Sequence, residues 1–104
     1  MIRVAYNREE TELTIKGHAN SAPQGQDLVC AAASVLAFTA AACAEDNRAR
    51  FLPQIVKREG EMSIRCSPKK SHLAACRRMM DTVFTGYEIL ASRYPDFVRT
   101  IKEV

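Results

Sequence analysis

The sequence predicts an α+β domain, an α/β two-layer arrangement in the order β-β-α-β-β-α-β, with two helices packed on one mixed sheet. Three observations predict it. Short runs alternate apolar and polar residues with period two. Two longer stretches keep their apolar residues at helical spacing or are apolar throughout. The 104 residues, 47% hydrophobic and 26% charged, suffice for one core and argue against a wholly disordered chain. The pattern does not fix strand order.

Taken in order, residues 2–7 read as a strand with Ile2, Val4 and Tyr6 on one face, and Asn7-Arg8-Glu9-Glu10 turns the chain. Residues 11–17 form a second strand with Leu13 and Ile15 inward and Thr14 and Lys16 outward. His18 to Gln26, with its Asn, Ser, Pro and Gly, reads as a loop. Asp27 then suits a helix cap before an uncharged stretch, residues 28–44, in a helix running to about Glu45. Residues 54–59 and 61–67 make a hairpin around Gly60, with Met62, Ile64 and Cys66 sharing a face. Ser67 and Pro68 signal a helix start, and Leu73, Cys76, Met80, Val83, Phe84, Tyr87, Leu90 and Ala91 keep helical spacing until Pro95 stops it. Phe97 to Val104 makes a last strand.

The stretch 28–44 is short for a membrane span, rich in Ala, and flanked by Asp27 and Glu45-Asp46 rather than basic or aromatic anchors, so no membrane is expected. A helix apolar on every side needs cover on every side, which one sheet and one helix hardly supply, so a homodimer is expected. The first residues, Met-Ile-Arg-Val-Ala-Tyr, lack an apolar signal core, which points to the cytoplasm. Cys30, Cys43, Cys66 and Cys76 show no close pairing and are expected as free thiols.

The formal net charge of +3 is too mild to argue for nucleic acid, and no DNA partner is expected. Residues 1–52 carry a net −1 and residues 53–104 a net +4. Lys69, Lys70, Arg77 and Arg78 read as a solvated face, with an acidic protein patch or ribosomal RNA as the other reading. His72 and Cys76 stand at metal-ligand spacing, but nothing else gathers around them in sequence, so neither metal nor cofactor is expected. Met79-Met80 reads as core and edge, and Cys43 and Cys66 as core.

The chemistry concentrates between the second strand and the first helix. Cys30 falls in the expected first helical turn, where unpaired backbone N–H groups and the helix dipole favour negative charge, and the thiolate is the reactive form of cysteine. The same N–H groups can hold an oxyanion. His18 stands at the other end of the loop, and a turn between the two can bring imidazole to sulfur if Gly17 ends the strand and swings the ring inward. Against this, a cysteine in an Ala-rich helix commonly behaves as a small apolar residue. Asp27 reads as the helix cap or as a third catalytic member orienting His18. Ser34 lies on the face of Cys30, lining a pocket or packing against another helix.

The run Gly17-His18-Ala19, then Gly25-Gln26-Asp27-Leu28-Val29-Cys30-Ala31-Ala32-Ala33-Ser34, resembles the signature of the ribosomal-processing cysteine proteases. Gly86-Tyr87 and Tyr94-Pro95-Asp96-Phe97-Val98 resemble the family as well, and the likeness spans nearly the whole chain. The resemblance implies a cysteine peptidase that removes the N-terminal extension of a large-subunit ribosomal protein, number twenty-seven of the series, during bacterial ribosome assembly. It places His18 and Cys30 at the catalytic pair and implies a homodimer with a flexible loop, residues 19–26, over the site. The loop's middle, Asn20-Ser21-Ala22-Pro23, departs from the Gly-rich family pattern, and Pro23 stiffens it. Two other readings use the same surface: a non-catalytic ribosome-assembly or protein-tail-binding module, and a thiol redox sensor acting through Cys30.

Overall fold

The computed structural model describes residues 1–17 and 24–103, with the backbone alone described over 24–27. Five strands, β1 (Ile2–Asn7), β2 (Glu12–Lys16), β3 (Pro53–Arg58), β4 (Glu61–Cys66) and β5 (Val98–Glu103), form one sheet in the order β3-β4-β2-β1-β5. β1 pairs with β5 in parallel, and the other three pairings are antiparallel. The strand bounds lie within two residues of those expected from alternation.

Two long crossovers make the second layer. Helix α1 (Gln24–Asp46) links β2 to β3, and helix α3 (Leu73–Arg93) links β4 to β5. β2 and β4 run antiparallel, and the two connections cross the sheet in opposite directions. The right-handed rule for such crossovers therefore sends both helices to the same face. Ile2, Val4, Tyr6, Leu13, Ile15, Met62, Ile64, Cys66 and Val98 point from the sheet into the core. Val29, Ala33, Ala37, Ala40 and Ala44 meet them from α1, and Cys76, Met80, Val83, Phe84, Tyr87 and Leu90 from α3. The small side chains of α1 let it lie close to the sheet, and the larger ones of α3 fill the remaining volume. The opposite sheet face carries Arg3, Thr14, Lys16, Glu61 and Arg65 and is open to water, as an antiparallel-rich sheet permits.

Polar contacts fix the layers and the sheet's end. The buried Tyr87 hydroxyl donates to the Ala33 carbonyl of α1 at 2.8 Å. The Tyr6 hydroxyl donates to Asp81 of α3 at 2.7 Å, and Arg8 pairs with the same carboxylate at 3.1 Å. Thr11, buried and held at φ 49°, donates to the Cys66 carbonyl at 2.6 Å, tying the β1–β2 turn to the end of β4. The same hydroxyl lies 2.7 Å from the Glu10 carbonyl, so this buried group has two acceptors in reach. Beside it the Cys76 thiol meets Cys66; that hydrogen bond and burial push it far above the ordinary thiol range, so it stays protonated.

The structure departs from the expectation in four places. The helix expected after Asp27 already starts at Gln24. A short helix, α2 (Arg48–Phe51), follows α1; it ends at Leu52 in the left-handed region (φ 47°), and Phe51 is buried. Ser67-Pro68 does not open a helix: a 3-10 turn, Lys70–His72, intervenes and α3 begins at Leu73. Cys43, expected in the core, is half-buried.

The segment Leu28–Asp46 is long and apolar enough, by length and composition, to cross a membrane. One side packs on the sheet and α3, while Leu28 is 69% and Val35 63% exposed on the other. An apolar patch continues across Ala32, Leu36, Gly86 and Ile89 to Arg93 of α3. Gly86 is what lets the helices approach: a Cβ there would stand 2.7 Å from Leu36 Cδ2.

Candidate active site

β2 ends at Lys16, and Gly17 turns the chain out of the sheet with φ +116°, a conformation that L side chains rarely adopt. Gly17 thus ends the strand as expected, while the direction of the ring that follows it lies outside the described residues. Its N–H donates to the Gly60 carbonyl at 2.8 Å, joining the end of β2 to the β3–β4 turn. A Cβ on Gly17 would lie 2.1 Å from the Met1 carbonyl oxygen, so the start of β1 closes on the same point.

Around this junction lies a cleft of about 200 Å³ between α1 and the β3–β4 hairpin. Cys30 and Ser34 stand on its α1 wall with Ala33, Ala37 and Phe38. Ile2, Ile15, Gly17 and Met62 form the floor, and Lys57, Arg58, Gly60 and Glu61 the opposite wall. Cys30 is half-buried, so its thiol is accessible without being freely solvated. Lys16 pairs loosely with Glu61 at 3.8 Å across β2 and β4.

The structure thus brings Gly17, Cys30 and Ser34 together. His18 and Ala19 lie outside the described residues, as do residues 20–23 of the expected loop; residues 24–26 belong to α1 instead. Gly25 is the second helical residue and Asp27 the fourth. Asp27 is therefore not the flanking cap residue. Cys30 is the seventh helical residue, where backbone N–H groups are consumed by i→i−4 bonds. The free N–H groups belong to the helical residues before Asp27, about one turn earlier. Helical side chains lean toward the N-terminus, which carries the Cys30 sulfur back over that turn.

His72 sits at the start of α3, and the thiol of Cys76 is turned into the core against Cys66. Among the described residues no group of three or more His, Cys, Asp or Glu gathers to hold a metal. The hairpin wall and Phe38 are absent from the sequence reading. Their signals are an apolar side chain eight residues beyond Cys30 and a lysine in the inward register of an edge strand, since Lys57 pairs with buried Met62.

The fold has solved relatives. A Staphylococcus aureus structure, described as an essential ribosomal processing protease Prp with a covalently linked product peptide, superposes with a TM-score of 0.81 at 21% identity, over 99% of this chain and 100% of that one. The same protease with a substrate peptide superposes with a TM-score of 0.81 at 20% identity and the same coverage. A Streptococcus mutans protein superposes with a TM-score of 0.71 at 20% identity, over 98% of this chain and 91% of that one. No curated protein matches the chain. The model of the family described as cysteine protease Prp matches residues 1–99, which takes in every element of the sheet up to the first residues of β5 together with the Cys30 cleft. The accessible thiol at the head of α1 is thus set in the scaffold of a known thiol peptidase, and the chain belongs to the cysteine protease Prp family.

Proposed function

We propose that this protein is the endopeptidase that removes the N-terminal extension of large-subunit ribosomal protein number twenty-seven, using Cys30 and His18 as a catalytic dyad. The observation that carries the reading is the half-buried Cys30 thiol on the wall of the cleft between α1 and the β3–β4 hairpin, in a chain whose residues 1–99 match the cysteine protease Prp family. The S. aureus neighbours, described with a substrate peptide and a covalently linked product peptide, support a peptide as the occupant.

In this mechanism His18 takes the proton from the Cys30 thiol, and the thiolate attacks the scissile carbonyl carbon. The negative charge that develops on the carbonyl oxygen is stabilised by free N–H groups of the first turn of α1, toward which the Cys30 side chain leans. The imidazolium of His18 then protonates the leaving amine. Water, deprotonated by the same imidazole, attacks the thioester and releases the new carboxylate and the thiol. Ser34, one turn beyond Cys30 on the cleft wall, is placed to bind the substrate backbone. Asp27 either orients His18 or acts through the charge it brings to the first turn.

The reading is tested by incubating the protein with the precursor of that ribosomal protein and recording product masses. A single cut that releases the extension is expected; an intact precursor after prolonged incubation would overturn the proposal. Such processing accompanies ribosome assembly and would take place in the cytoplasm.

The exposed apolar patch across α1 and α3 supports a homodimer as its cover, in preference to a membrane. Leu28, Val35 and Ile89 are 69%, 63% and 57% exposed, and apolar patches of this kind on soluble domains mark interfaces. Sedimentation equilibrium at micromolar concentration should give twice the 11.6 kDa chain mass, and a single monomeric species would remove the dimer from the account.

A further inference from the structure

Phe38 is an aromatic residue 48% exposed on the flank of α1, at the far end of the Cys30 cleft. Lys57 comes from the edge strand β3 in the register that faces the helix layer, and its Nζ stands 4.5 Å from the centre of the Phe38 ring. Among the described residues no carboxylate lies within ion-pair distance of Lys57. The cleft therefore ends in a ring with an unpaired ammonium over it, the ring remaining open to a further contact.

The spacing gives this pair a place relative to the chemistry. Cys30, Ser34 and Phe38 recur every four residues along one side of α1, so they form a single stripe. Eight helical residues at about 1.5 Å each put Phe38 about 12 Å from Cys30 along the axis. An extended peptide covers that distance in about three to four residues at roughly 3.3 Å each. The apolar wall of the same cleft, Ala33 and Ala37, bridges the interval.

We infer that Phe38 and Lys57 form a specificity subsite that reads the substrate side chain three to four residues from the scissile bond, accepting a large apolar side chain and rejecting a basic one. The inference rests on the peptidase reading with Cys30 as nucleophile. The apolar preference comes from burying the open part of the Phe38 ring, and the rejection from like charge against Lys57 in a partly desolvated cleft.

The test uses peptides copied from the cleaved region of the ribosomal-protein precursor, with Leu, Ala or Lys in turn at the third and fourth residues on each side of the scissile bond. Wild type should cleave the Leu peptide roughly five- to tenfold better than the Ala peptide at one of these positions, mainly through KM, and the Lys peptide worst. Phe38→Ala should bring the Leu and Ala peptides to near parity, and Lys57→Met should restore the Lys peptide to the level of the Ala peptide. Both side chains are surface-exposed, so the fold should hold. A merely structural role would lower all peptides together. Wild-type cleavage with unchanged side-chain preferences in both variants would overturn the subsite alone. Wild type silent on every peptide and on the precursor would overturn the peptidase reading, and the subsite with it.

Discussion

Cys30→Ala should abolish cleavage of the ribosomal-protein precursor while leaving the fold intact. Removing the nucleophile leaves binding and oxyanion stabilisation but no covalent route, and in thiol and serine peptidases such changes cost about four orders of magnitude or more in turnover. The stability change should be small, because Cys30 is half-buried and only one sulfur is deleted from an open cleft wall. A melting midpoint within about 5 °C of wild type is expected. Cys43 supplies the control. It lies on the same helix and is half-buried too, but it is not part of the cleft wall, so Cys43→Ala should cleave normally. Brief treatment with iodoacetamide should likewise inactivate in step with modification of Cys30, while buried Cys66 and Cys76 stay unmodified in the native protein. Substantial cleavage by Cys30→Ala with the wild-type product mass would remove Cys30 from the mechanism. His18→Ala carries the complementary expectation: loss of turnover with the Cys30 thiol still alkylated, since the base and not the sulfur has been taken away.

The sheet was legible because its residues obey a short-range rule. Alternation in Ile2-Val4-Tyr6, Leu13-Ile15 and Met62-Ile64-Cys66 sorts inward from outward side chains without knowledge of neighbouring strands, and all of these are buried. Strand order depends on pairings between segments far apart in the chain, such as β1 with β5, and no local pattern reports them. The start of α1 was misread because Gln24-Gly25-Gln26 has the composition of a loop, and Asp27 is a strong cap residue that competed as the boundary. The 3-10 turn after Pro68 and the short helix at Arg48–Phe51 are held by tertiary contacts, notably buried Phe51 and the bond from Ser67 N–H to its carbonyl at 3.0 Å, and these leave no periodic trace. At the cleft, Cys30 and Ser34 were legible as neighbours through their helical spacing, and Gly17 as the end of β2 through its backbone freedom. Phe38 and Lys57 were not, because their meaning comes from the hairpin folding across α1, a contact between residues nineteen positions apart.

Gly17→Ala should be the most damaging single change outside the cysteine itself, and its effect follows from geometry alone. The φ of +116° lies where an L side chain is strongly disfavoured, and the added Cβ would sit 2.1 Å from the Met1 carbonyl oxygen and 3.1 Å from Ile2 Cα. Neither obstacle is a flexible side chain, so the backbone must move. That movement disturbs the Gly17 N–H bond to Gly60 and the Ile2 N–H bond to Phe97, both 2.8 Å, and with them the closure of β1, β2 and the hairpin around the cleft floor. A loss of about 2–4 kcal/mol is expected, lowering the melting midpoint by roughly 10–20 °C. Gly60 provides the contrast: its φ of 70° lies in the left-handed region that Asn tolerates, so Gly60→Asn should cost about 1 kcal/mol or less. Below its melting midpoint Gly17→Ala should still cleave poorly if the proposed dyad holds, because residue 18 follows directly and a redirected strand end would withdraw it from Cys30. Rates measured at low temperature, where the variant is folded by circular dichroism, separate this loss from simple unfolding. A Gly17→Ala protein that melts with wild type and cleaves at the wild-type rate would show that the turn does not set the position of His18, and the dyad would need another geometric basis.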